Sequence, residues 1–202
     1  MRIKSQWFRN ERPKTPREIA GAAAFIAWRI AQHALGNMRK ADFEISPGPR
    51  YFDFLAEWLI FIVQLADRIA FEKMPAAARE EFTAVMANRV GDILADNRSE
   101  LLGTADAADG GDRHKRRFID LLNLRSFDYA DYDYTEARID YGFLRCLADH
   151  LAVLVAEDEA VWVRDQVMEI EAPEAVESIR KGMRGLLGEA PQRGSRAAQA
   201  GD

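Results

Sequence analysis

A single cysteine and three histidines in 202 residues remove several classes at once. One thiol, Cys146, cannot close an internal disulfide, so the chain is not a disulfide-stapled scaffold. One cysteine with three histidines also falls short of a Cys-rich zinc site. Proline and glycine are sparse, seven and thirteen residues, which excludes collagen-like and low-complexity chains. Positive charge is not in excess: the net charge is -5 and the pI about 5.4, so the global basic footprint of a nucleic-acid-binding domain is missing. Long apolar runs are missing too. The stretch 54–66 is broken by Glu57 and Gln64 and closed by Asp67 and Arg68, too short and too polar to span a bilayer.

What the chain does have is enough apolar material for a core, 48% of residues against 30% charged, and a length that fits one domain. Its charge is unevenly spread. Arg2, Lys4, Arg9, Arg12, Lys14 and Arg17 face only Glu11 in the first 17 residues, which leaves the body strongly acidic. A basic start before the apolar run from Ile19 to Trp28 superficially resembles a secretory leader. Glu18 and Arg29 bracket that run closely, no Ala-x-Ala site follows, and Thr15-Pro16-Arg17-Glu18 fits a capping box with proline at the first helical position. The expectation is a permanent helix in a soluble, cytoplasmic protein.

Helical periodicity runs through the rest. Between Pro16 and about Lys40, Ile19, Ala22, Ile26 and Ile30 share a face, next to a ridge of Ala20, Ala23, Ala27, Ala31 and Ala34 that admits a neighbouring backbone closely. Pro49 opens a second helix to about Lys73 that is apolar almost all round. Its narrow polar stripe holds Asp53, Glu57, Gln64, Asp67 and Arg68, so it should lie at the centre of a bundle or at a subunit interface. A third helix runs from Pro75 to Leu102 with Gly103 as its cap. Residues 103–112 read as a mobile loop, with Asp112 capping a fourth helix. Asp133 and Glu136 suggest a capping box for a fifth. A sixth should stop before Pro173, and a seventh carries Val176, Ile179, Met183 and Leu186. The expected architecture is an all-α, single-domain bundle of six or seven mostly antiparallel helices over residues 18–188. A basic arm (1–17) precedes it and a disordered tail (189–202) follows.

Candidate sites are few. None of the three histidines has a glutamate three residues before it, and no His-Glu-x-x-His occurs, so di-iron bundles and zincins are excluded and no metal site is expected through histidine. His33 shares a face with Ile26, Ile30 and Asn37 and reads as a partly buried imidazole. It is also the polar anchor of a conceivable apolar cavity between the first two helices. His150 and Cys146 read as core residues of the fifth helix. Asp92 with Asp96, and Glu136 with Asp140, are carboxylate pairs one helical turn apart. If they faced each other they would hold Mg²⁺ and a diphosphate, in the manner of the acidic helical motifs of all-α isoprenoid synthases. Asp131-Tyr-Asp133-Tyr-Thr135 matches the Asp-x-Asp-x-Thr string of haloacid-dehalogenase phosphotransferases. That string follows a buried strand in an α/β fold, and no strand precedes it here.

Two features suit protein contacts. Tyr129, Tyr132 and Tyr134 stand in an acidic segment between helices, where they either present amphipathic rings to a partner or cap the bundle. Trp7 and Phe8 interleave with the basic arm, and Arg113, Lys115, Arg116 and Arg117 crowd a helix start, where positive charge opposes the helix dipole. The functional expectation is a non-enzymatic helical interaction or regulatory protein that self-associates, without a cofactor and without nucleic acid or membrane as partner. The alternatives are a Mg²⁺-dependent enzyme acting on a diphosphate through Asp92, Asp96, Glu136 and Asp140, and a binder of a small apolar ligand.

Overall fold

Pro16 starts α1 (Pro16–Lys40) in the computed structural model, which describes residues 13–41, 43–103, 110–135 and 139–188. The capping box forms: Glu18 N donates to Thr15 Oγ1 at 3.2 Å, and Thr15 N donates to the Glu18 carboxylate at 2.9 Å. Five alanines, Ala20, Ala23, Ala27, Ala31 and Ala34, are buried, and α1 packs against α2, α3 and α7. The small-residue ridge therefore does what its spacing predicts.

The second helix, α2 (Pro49–Lys73), is the axis of the bundle. Phe54, Leu55, Trp58, Leu59, Ile60, Phe61 and Ile62 have no exposed surface, and α2 touches α1, α3, α4, α5 and α7. A helix apolar nearly all round needs neighbours nearly all round. The third, α3 (Ala76–Leu102), stops at Gly103, whose φ of 74° lies in the left-handed region. Next comes α4 (Gly110–Ala130), which begins two residues ahead of Asp112, inside the stretch expected to be loop. The helices α2 and α3 run antiparallel. Asp67 meets Arg79 near the α2–α3 turn, whereas Asp53 meets Arg98 at the far end of both helices.

Two later elements depart from expectation. The fifth helix, α5 (Tyr141–Ala152), starts eight residues beyond Asp133, and its N-cap is Asp140, which accepts from Gly142 N at 2.7 Å. Instead, Tyr134 and Ile139 form an isolated antiparallel bridge ahead of α5, the sole β pairing among the described residues. The sixth helix does not stop before Pro173. After α6 (Glu157–Gln166) the backbone widens into a π-helical turn, Val167–Glu171, and continues as α7 (Ala172–Leu187). Pro173 lacks an N–H and its ring would press on the carbonyl four residues back. The wider turn relieves that pressure, with Ala172 N bonding to Val167 O five residues back. Among the described residues the all-α bundle is thus six rods, the last made of α6 and α7 joined through the π turn.

Residues 1–12, including Trp7 and Phe8 of the basic arm, and the tail 189–202 lie outside the described residues. Among the described residues, no helix is long and apolar enough to cross a membrane.

Candidate functional site

The polar stripe of α2 is where the rods are tied together. Asp53 faces Arg98 and Arg117, Gln64 Nε2 donates to Ser126 Oγ at 2.7 Å, Asp67 accepts from Arg79 and Thr83, and Arg68 donates to the Tyr129 carbonyl at 2.9 Å. At its centre lies Glu57, only 3% exposed, gripped by the fork of Arg125: Nε reaches Oε1 at 3.2 Å and Oε2 at 3.1 Å, and Nη2 reaches Oε1 at 2.8 Å. His150 completes the cluster. Its Nε2 is 3.2 Å from Asp128 and its Nδ1 is 3.8 Å from both Glu57 and the Cys146 sulfur.

A Cys–His pair invites a nucleophile, and the environment argues against one here. Burial, with Asp128 adding to it, pushes the Cys146 thiol up to about 12, and burial also pulls His150 below its ordinary value. Both groups are neutral at pH 7, the reverse of a thiolate–imidazolium couple. Tyr129 is fully enclosed beside the thiol, packed on Phe61 and Phe143, with its own ionisation pushed far up by burial. This cluster is a buried clamp between α2, α4 and α5. Sequence reasoning saw its members one by one but not together, because Glu57 and Arg125 are 68 residues apart.

The tyrosines expected at a surface are mostly inside. Tyr134 is 8% exposed, its ring 6.1 Å from Phe143 and its hydroxyl accepting from Arg180 Nε at 3.3 Å. Tyr132 is half-buried over Gly142. Of the two readings open for these rings, capping the bundle is the one the packing supports. Nor do the described carboxylates of the proposed Mg²⁺ set converge. Asp92 is held by Lys115 at 2.7 Å, Asp96 is exposed on α3, Asp140 is spent as the α5 cap, and Glu136 lies outside the described residues. The helical pairing of residues 136 and 140 fails because α5 begins only at Tyr141. Moreover α3 packs on α1, α2 and α4, whereas α5 packs on α2, α4, α6 and the π turn. Among the described residues, no group of three or more His, Cys, Asp or Glu could hold a metal ion.

His33 is exposed rather than partly buried, and it looks toward α7, not α2. It lines an open groove of about 500 Å³, with Arg29, Ile30 and Ala34 on the α1 wall and Glu171, Glu174 and Ser178 on the other. Glu171 ends the π turn and is 2% exposed. Asn37 Nδ2 donates to its Oε2 at 3.3 Å and Gln166 Nε2 to its Oε1 at 3.0 Å. The π turn went unforeseen; Pro173 was its signal in the sequence.

The basic cluster of α4 lies at the surface, where Arg117 also reaches Asp53. Arg113, Arg116 and Arg117 are exposed, while Lys115 is turned inward to Asp92. Further along the same helix Leu124 is 57% and Phe127 76% exposed, large apolar side chains that no neighbouring helix covers. Comparison of the chain with protein families, with curated proteins and with solved structures finds no match.

Proposed function

We propose that this chain is a helical interaction protein that self-associates through the outward face of α4, acting as a binding or regulatory partner rather than as a catalyst. The observation that carries the reading is the order of residues on that face. Arg113, Arg117, Asp120, Leu124, Phe127 and Asp131 recur at alternating spacings of four and three, and all are exposed. That spacing lays Arg113 to Phe127 as a continuous stripe along α4, with Asp131 one residue past its end, the kind of seam along which two helices pair.

The stripe is basic at its start, apolar past its middle and acidic at its end. A second copy laid antiparallel about a two-fold axis complements it toward both ends. Arg113 of one copy then meets Asp131 of the other, Arg117 lies over the Phe127 ring, and Leu124 stands opposite Asp120 on either side of the axis. The neutral Cys146–His150 pair agrees with a binding role, since neither group is poised for proton or acyl transfer.

Sedimentation across a range of protein concentrations tests this. The expected species has twice the 22.9 kDa chain mass, and salt should weaken it because charged ends contribute. Phe127→Asp and Arg117→Glu should each give monomers with unchanged helical circular dichroism. A wild-type chain that stays monomeric at high concentration, or a dimer indifferent to both substitutions, would overturn the assignment.

A further inference from the structure

We infer that the groove between α1 and α7 is a binding site for a small zwitterion, an amino-carboxylate with an extended apolar body. Glu171 is 2% exposed, and its carboxylate is held by two neutral amides, Asn37 and Gln166, with no cation within ion-pair distance among the described residues. Buried charges are ordinarily paired, so this one asks for a cation from outside. Glu174, one turn further on and exposed, adds a second carboxylate to the same wall.

The opposite charge stands at the other end. Asn37 meets Glu171 while Ile26 lies against Gly182, so α1 and α7 run antiparallel. Arg29 is eight residues from Asn37 along α1, about 12 Å at helical rise, and makes no ion pair among the described residues. Between the two ends the floor is Ile30, Ala34 and Ala175. An ammonium at the Glu171–Glu174 end and a carboxylate at Arg29, joined by methylenes over that floor, match the groove in charge order and in polarity. Its volume of about 500 Å³ lies in the range of small-molecule sites. The π turn sets this geometry, because it brings Glu171 inward at the point where α6 becomes α7.

Isothermal titration with 8-aminooctanoate, octylamine and octanoate tests the site, with the His33 ring resonance as the local reporter. The expected result is binding of the zwitterion, about tenfold weaker binding of either singly charged analogue, and a shifted His33 signal. Arg29→Gln and Glu174→Gln are exposed substitutions that should each lower the affinity about tenfold without unfolding the chain. Glu171→Gln should do so as well. Equal binding of the three probes, binding that leaves His33 unmoved, or no binding at millimolar zwitterion would overturn the inference.

Discussion

Arg125 makes three hydrogen bonds to a carboxylate that is 3% exposed, and the value of that contact depends on which half is removed. Arg125→Met leaves Glu57 buried with its charge unopposed, an arrangement that costs about 3–5 kcal/mol. Replacing both, Glu57→Leu with Arg125→Met, removes the two desolvated charges together and should restore most of that loss. Urea titration of the three proteins measures it, and a double variant as unstable as the single one would contradict this account. The residues of the cluster were legible as types: Asp53, Glu57, Gln64, Asp67 and Arg68 stand out as the polar stripe of an otherwise apolar helix. Their partners were not, since Ser126, Arg125 and the Tyr129 carbonyl lie 61 to 68 residues away and no local spacing links them. The tyrosines show the same limit. Acidic neighbours made Tyr129 and Tyr134 look exposed, whereas Phe61 and Phe143 draw both rings into the core or onto its edge.

Element ends were legible wherever the stop signal is chemical. The Thr15–Glu18 box, Pro49 and Gly103 each act within one turn and need no tertiary context. The start of α5 failed because Asp133 and Asp140 are both competent caps, and packing decided between them. Tyr132 takes the space over Gly142, and a methyl on that residue would overlap the ring. Gly142→Ala should therefore destabilise the chain by about 1–3 kcal/mol as overpacking, although alanine is the better helix former. Thermal melts of the alanine variant alone and with Tyr132→Ala separate the two effects. If relief of the overlap is the cause, the second change recovers stability that the first lost. Pro173 misled for a different reason: proline forbids a regular helix interior but tolerates a π turn ahead of it. The groove that this turn lines was half visible, as His33 and Asn37 on one face of α1. The second wall comes from a segment more than 130 residues later.

At the scale of the molecule, the clamp joining α2, α4 and α5 makes overall stability depend on one imidazole. His150 faces Glu57 and Asp128, which favour its charged form, and burial together with Arg125, which oppose it; Cys146 and the Tyr129 ring complete its surroundings. Burial prevails and the folded state holds His150 below its ordinary value of 6.5. The unfolded chain then binds a proton more readily than the folded one. This contribution to stability is fully present above pH 6.5 and is lost as pH falls through the lower folded value. Melting temperature should therefore decline from pH 7 toward pH 5, ahead of the general titration of carboxylates. His150→Gln keeps a polar side chain without the titration and should flatten that part of the profile while leaving the decline below pH 5 in place. Parallel profiles for the two proteins between pH 7 and pH 5, or a wild type more stable at pH 5.5 than at pH 7.5, would show that the imidazole is not what couples the three rods to pH. The same scan followed by sedimentation separates the clamp from the α4 seam. The seam residues Arg113, Arg117, Asp120, Leu124, Phe127 and Asp131 include no histidine and none belongs to the clamp, so association should persist at pH values where the melting temperature has already fallen.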